Sequence, residues 1–119
     1  MQKRKASADE LITLILEGIE EVKGLEINVL DLREIENTVC DYFIICNGTS
    51  NTHVNAIVNS IQKTVSKAIK DKPWHVEGSE NSEWVLLDYV NVVVHVFQKH
   101  IREFYDVEGL WGVAKVTLV

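Results

Sequence analysis

Residues 39–46 constrain the fold more than any other segment. Val39 to Cys46 is an almost continuous apolar run rich in β-branched and aromatic side chains. A strand of this kind offers no polar face to water, so it belongs at the centre of a sheet covered on both sides. Asn47, Gly48, Thr49, Ser50 and Asn51 follow as a turn-and-cap cluster. Val54, Ile57, Val58, Ile61, Val65, Ala68 and Ile69 then form one apolar stripe at helical spacing, closed by Lys70 to Pro73. Such a helix supplies the crossover that a parallel neighbouring strand requires.

The flanking segments extend this pattern. Ser7 with Glu10 three residues on is a capping-box signature, and Leu11, Ile12, Leu14, Ile15, Ile19 and Val22 continue it as a helix that Gly24 should end near Lys23. Glu26 to Leu32 fits a short strand, and Trp84 to Asp88 and Val92 to Phe97 carry strong β patterns after a polar stretch from Glu77 to Glu83. Lys99 to Leu110 reads as one short helix, and Val113 to Val119 as an optional edge strand. The expected class is α/β, a mixed four- to five-stranded sheet covered by helices in the order α-β-β-α-β-β-α with a terminal strand. The 119 residues hold neither a repeat nor a linker, so one domain over residues 1–119 is expected.

Charge narrows the partners. Eighteen acidic against 12 basic residues give a net charge of −6, and the only basic cluster is Lys3, Arg4 and Lys5. Nucleic-acid binding draws most of its affinity from Lys and Arg neutralising phosphates, so little direct nucleic-acid contact is expected and a basic protein is the better match. The start of the chain has no apolar signal-like region and no segment approaches a membrane-spanning length, which reads as soluble and cytoplasmic with no membrane partner.

The chemistry-bearing residue types are scattered. Cys40 and Cys46, six apart in one strand, match neither a redox pair nor a zinc knuckle and read as reduced core thiols. His53, His75, His95 and His100 fall on different elements with no metal-ligand spacing. Asp31, Asp41 and Asp88 lie near strand ends, where acids of phosphoryl-transfer enzymes occur, but their neighbours form no convergent pair. The Gly48 to Asn51 cluster could present backbone N–H groups to an anion, although capping by Ser50 accounts for it without a ligand. No catalytic residue, metal or cofactor is expected, and the chain is not expected to be an enzyme.

The hairpin is the most informative stretch. A two-residue turn at Tyr89 and Val90 would pair Asp88 with Asn91, Leu86 with Val93 and Trp84 with His95. Val85, Leu87, Val92, Val94 and Val96 would line the opposite, core face. Trp84, Leu86, Val93 and His95, edged by Asp88, Tyr89 and Asn91, would then form an aromatic and aliphatic patch with a polar rim, the composition of a protein-binding site. The alternative is that another layer covers this face and Trp84 is core; its exposure decides between them.

Five blocks of the chain, in order and spacing, resemble the Iojap or ribosomal silencing factor (RsfS) family. They are the run from Asp41 to Asn51 with His53 and Val54, then Val76 to Gly78, Glu83 to Tyr89, Val92 to Phe97, and Arg102 to Trp111. The likeness covers about Ser7 to Trp111. It implies a fold similar to nucleotidyltransferases without their catalytic apparatus. It also implies binding to the large ribosomal subunit through that subunit's protein fourteen, so that the small subunit is sterically kept from joining and translation is repressed. On matching positions it implies partner contacts by Trp84, Asp88, Tyr89, His95 and Tyr105, with Leu86 and Glu103 beside them. A large-subunit assembly role or a degenerate nucleotidyltransferase are the alternatives. An apolar patch of this kind also suits self-association, so a homodimer is a further expectation. Many relatives carry a Gly-Asp turn after position 89, where this chain has Val90 and Asn91. Because a β-branched residue resists φ > 0, a different turn with Asn91 left-handed is expected.

Overall fold

The computed structural model describes residues 7–36, 38, 40–110 and 115–118, the last four through their backbone. The Lys3, Arg4, Lys5 run, Val39, Val113, Val119 and Trp111 lie outside the described residues. Helix α1 (Ala8–Glu21) starts from the expected capping box. Ser7 Oγ accepts the Glu10 N–H at 3.1 Å, and Glu10 Oε1 accepts the Ser7 N–H at 3.5 Å. The helix ends at Val22, and the Gly24 N–H returns to the Ile19 carbonyl at 2.9 Å.

Strand β1 (Leu25–Asp31) pairs antiparallel with β2 (Tyr42–Gly48), Leu30 standing opposite Phe43. β2 begins at Tyr42, later than the apolar run suggested. The N–H groups of Asp41 and Tyr42 both donate to the Asn91 carbonyl, at 2.9 and 3.1 Å, which fixes the entry point of the strand. Helix α2 (Asn51–Ile69) follows and stops where Lys70 turns left-handed at φ 57°.

After it come β3 (His75–Glu77), β4 (Trp84–Asp88), β5 (Val92–Gln98), the short helices α3 (Lys99–Tyr105) and α4 (Val107–Leu110), and β6 (Lys115–Leu118). The strand order is β3-β4-β5-β2-β1-β6, with β2 and β5 parallel and the remaining pairs antiparallel. The mixed α/β class holds, with β2 central and α2 lying in the crossover to its parallel neighbour. The sheet has six strands because His75–Glu77 joins its edge, Val76 opposite Leu87. Gly78, at φ 90°, makes that edge possible, since a Cβ there would overlap the Trp84 carbonyl oxygen.

The period of two along the strands splits the core into two layers. On one face Val85, Leu87, Val92, Val94 and Val96, the aliphatic set read from the hairpin, pack with Ile44 and Cys46 beneath α1 and α2. On the other, Leu30, Phe43, Ile45, Val93, Phe97 and Val107 form a smaller cluster, with Trp84, Leu86 and Ile101 packed against it. Gly18 lets the two long helices approach: an added Cβ would lie 2.8 Å from the Ile61 Cα, and the Ser60 hydroxyl donates to the Gly18 carbonyl at 2.7 Å.

The hairpin corrects the expected register. The loop is Val90 and Asn91, closed by the Tyr89 N–H to the Val92 carbonyl at 2.9 Å, and Trp84 pairs with Phe97, Leu86 with His95 and Asp88 with Val93. The shift is two residues along the partner strand, an even number. The strand side chains therefore keep the faces they were assigned, although their cross-strand neighbours change; Tyr89, expected at the rim of the Trp84 patch, instead turns to the long-helix face. Val90, rather than Asn91, takes the positive φ, at 78°. Its N–H is held by Asp88 Oδ1 at 2.7 Å and the Asn91 N–H donates to the Tyr89 carbonyl at 3.0 Å. These bonds impose a conformation that a β-branched residue resists and glycine accepts.

Val90 is half exposed, so its side chain contributes little packing. Val90→Gly is therefore expected to raise stability by about 1 kcal/mol, relief of strain exceeding the added freedom of the unfolded chain. Urea unfolding reads this as a higher midpoint; a lower midpoint would show that the turn is unstrained.

The segment Lys99 to Leu110, expected as one helix, is two. Asp106 adopts φ 44° and ends α3, while its carbonyl and Oδ1 accept the Gly109 N–H at 3.0 and 3.2 Å and start α4. The break swings Val107 into the smaller core.

Candidate protein-docking face

Alternation along β4 turns Trp84, Leu86 and Asp88 away from the two long helices. Trp84 is half-buried. Its ring stacks on Phe97 at 4.8 Å and leans on Tyr105 at 5.0 Å, and its Nε1–H donates to His95 Nδ1 at 3.1 Å. Phe104 continues the series outward, edge-on to Tyr105 at 5.0 Å and 79% exposed, with Tyr105 itself half exposed. The result is an aromatic ridge rooted in buried Phe97 and emerging at α3, a combination of rigidity and apolar exposure that suits an interface anchor.

His95 sits beneath the ridge, buried and edge-on to Phe43 at 4.7 Å. Because Nδ1 accepts from the indole, the neutral ring carries its proton on Nε2, which has no partner among the described residues. Burial pushes the imidazole down to about 4 from 6.5. Between those values the unfolded chain binds a proton that the folded chain does not, so stability falls as pH drops from about 6.5 to about 4, by up to about 3 kcal/mol. His95→Asn, which keeps an acceptor near the Nδ1 position, should flatten that part of the profile in urea titrations at stepped pH. An unchanged slope would mean that His95 titrates normally in the fold.

The residues singled out from the sequence thus fall in three places. Trp84, Leu86, Asp88 and His95 share the sheet face and Tyr105 closes over its end, but His95 lies below the surface, hydrogen-bonded to Trp84. Tyr89 belongs to the opposite layer. It is buried against the long-helix core, its hydroxyl has no partner among the described residues, and burial pushes its phenol pKa upward. Glu103 is exposed on a separate cleft of about 460 Å³ that it lines with Glu26, Arg102, Asp106 and Glu108. The exposed Phe104 and Trp74 escaped the sequence reading. Phe104 lies in the short helix read over Lys99 to Leu110, whose pattern does not say which side chains face out, and Trp74 stands alone after Pro73 in a stretch with no periodicity.

Other candidate sites resolve into structural roles. At the start of α2 the Thr49 N–H donates to His53 Nδ1 at 2.9 Å, the Thr52 N–H to Asn51 Oδ1 at 3.0 Å and the His53 N–H to Ser50 Oγ at 3.1 Å. The chain caps its own N–H groups there, as the Ser50 reading expected. Cys40 and Cys46 are free and buried, and burial pushes their thiols up to about 11 and about 12, which keeps them as unreactive thiols. Among the described residues no three His, Cys, Asp or Glu side chains are grouped to hold a metal ion, and no helix is long and apolar enough to cross a membrane.

Residues 5–118 match the family described as ribosomal silencing factor during starvation. The ribosomal silencing factor of Halalkalibacterium halodurans is 37% identical over 107 residues, covering 89% of each chain. That of Chromobacterium violaceum is 39% identical over 103 residues, 87% of this chain and 83% of the relative. A crystal structure of a Chromobacterium violaceum protein superposes with a TM-score of 0.84 at 37% identity, over 90% of this chain and 88% of the other.

Proposed function

The chain belongs to the ribosomal silencing factor family, and from that premise we propose that it docks on the large ribosomal subunit through that subunit's protein fourteen, sterically preventing the small subunit from joining. The observation that carries this reading is the aromatic ridge of Trp84, Tyr105 and Phe104, which rises from a rigid sheet face that the long helices leave uncovered. A ridge braced by Phe97 and by the His95 hydrogen bond is already in its binding geometry, so little conformational freedom is lost on docking. The net charge of −6 favours a basic ribosomal protein over ribosomal RNA as the surface met. Steric exclusion needs neither turnover nor cofactor, and its strength is set by occupancy alone. A second copy seated on the same ridge would compete with the ribosome.

Sedimentation provides the test. The purified chain mixed with isolated large subunits should travel with them through a sucrose gradient, and adding small subunits should yield fewer joined ribosomes than in its absence. A chain that stays at the top of the gradient, or that travels with the large subunit without reducing joining, overturns the reading.

A further inference from the structure

Trp74 is 80% exposed and packs in neither apolar cluster, yet its backbone is pinned, the N–H donating to the Asp88 carbonyl at 2.7 Å. Its indole forms one wall of a cleft of about 390 Å³ whose other sides are Asp88, Val90 and Val93. Asp88 Oδ1 accepts the Val90 N–H, and its Oδ2 accepts no hydrogen bond among the described residues. The cleft therefore combines a flat aromatic face, two aliphatic side chains and one carboxylate oxygen with no protein donor.

We propose that this cleft is a second anchor on the docking face, taking one Lys or Arg side chain of a basic large-subunit protein. The chemistry selects that occupant. Val90 and Val93 suit a methylene stem, the indole attracts a cation over its face, and Asp88 Oδ2 accepts the charged N–H. An anion is repelled by Asp88, and a purely apolar group would strip water from the carboxylate without replacing its hydrogen bonds. The whole-chain charge of −6 steers the same kind of partner. Asp88 and Val93 lie on the Trp84 face, and four residues along β4 place the cleft about 13 Å from Trp84, within one interface of ordinary size.

The inference rests on large-subunit docking, and the experiment separates the two. Fluorescently labelled chain is titrated with isolated large subunits, using wild type, Trp74→Ala, Asp88→Asn, the double variant and Trp84→Ala. Asp88→Asn keeps an Oδ1 acceptor for Val90, and the exposure of Trp74 leaves the fold of Trp74→Ala intact, which urea midpoints verify. Each single variant should weaken binding about tenfold, and the double variant by little more than either single one, because both groups grip one side chain. Raising salt should weaken wild type more steeply than Asp88→Asn. Wild-type affinity in Trp74→Ala, or losses that multiply in the double variant, overturns the second anchor while a loss in Trp84→Ala leaves docking standing. No binding by the wild-type chain overturns both.

Discussion

Replacing Arg102 with alanine is expected to cost about 3–5 kcal/mol of folding stability, the largest effect of any single substitution considered for this chain. Arg102 is 7% exposed, and its guanidinium joins four elements. Nε and Nη2 donate to the two Glu108 carboxylate oxygens at 3.1 and 2.7 Å, and Nη1 donates to the Glu26 carbonyl at 2.6 Å and to Asn47 Oδ1 at 2.7 Å. Asn28 completes the set by donating to Glu108 Oε2 at 2.6 Å. Removing the arginine leaves the buried Asn47 amide oxygen without its donor and the Glu108 carboxylate with Asn28 alone, so the cost is that of stranded acceptors rather than of one ion pair. Arg102→Lys should recover only part of it, because an ammonium cannot fork between both oxygens and still reach Asn47. A urea midpoint within error of wild type in Arg102→Ala would refute this account.

The same network predicts a response to acid. Arg102 hydrogen bonds hold the Glu108 carboxyl below its ordinary range against the opposing effect of burial. The group's contribution is therefore complete above the unfolded carboxylate pKa and is lost as pH falls through the lower, folded one. Glu108 is only partly buried, so solvent screening keeps this acid-linked share well below the cost of deleting Arg102.

None of that network was legible in the sequence, and the reason is distance along the chain. Arg102 meets acceptors 76 and 55 residues away, one of them a backbone carbonyl, which no local pattern encodes. Elements defined by repetition were legible. The Ser7 and Ser50 caps with their apolar stripes gave α1 and α2, and the alternation around Val85 and Val94 gave the hairpin faces. Elements defined by single backbone angles were not: the split of the last helix turns on Asp106 at φ 44°, and the hairpin register on Val90 at φ 78°. β3 escaped because three residues are too few to show a period. For the candidate site, the sequence placed Trp84, Leu86, Asp88 and His95 on one face. It missed the burial of His95 and Tyr89, because burial depends on which helices cover each face.

Those placements decide what Trp84→Ala should do. In binding to large subunits it is expected to lose about 2 kcal/mol or more, roughly a thirtyfold fall in affinity, as for a central aromatic anchor. The ring is half-buried, so the substitution also acts on the free protein: it removes the contacts with Phe97 and Tyr105 and leaves His95 Nδ1 without its donor, costing about 1–3 kcal/mol of stability. Two measurements keep these effects apart. Urea unfolding gives the stability loss, and titration of large subunits under conditions where both proteins are fully folded gives the binding loss. Trp84→Phe sharpens the distinction, since it retains a ring against Phe97 and Tyr105 but has no Nε1–H for His95. If the anchor acts through apolar contact, Trp84→Phe should recover most of the affinity while keeping part of the stability deficit. If the hydrogen bond to His95 is what holds the ridge in register, affinity should stay low even though the ring is back. An affinity equal to wild type in folded Trp84→Ala would remove this face from the ribosomal interface, and docking would have to use another surface.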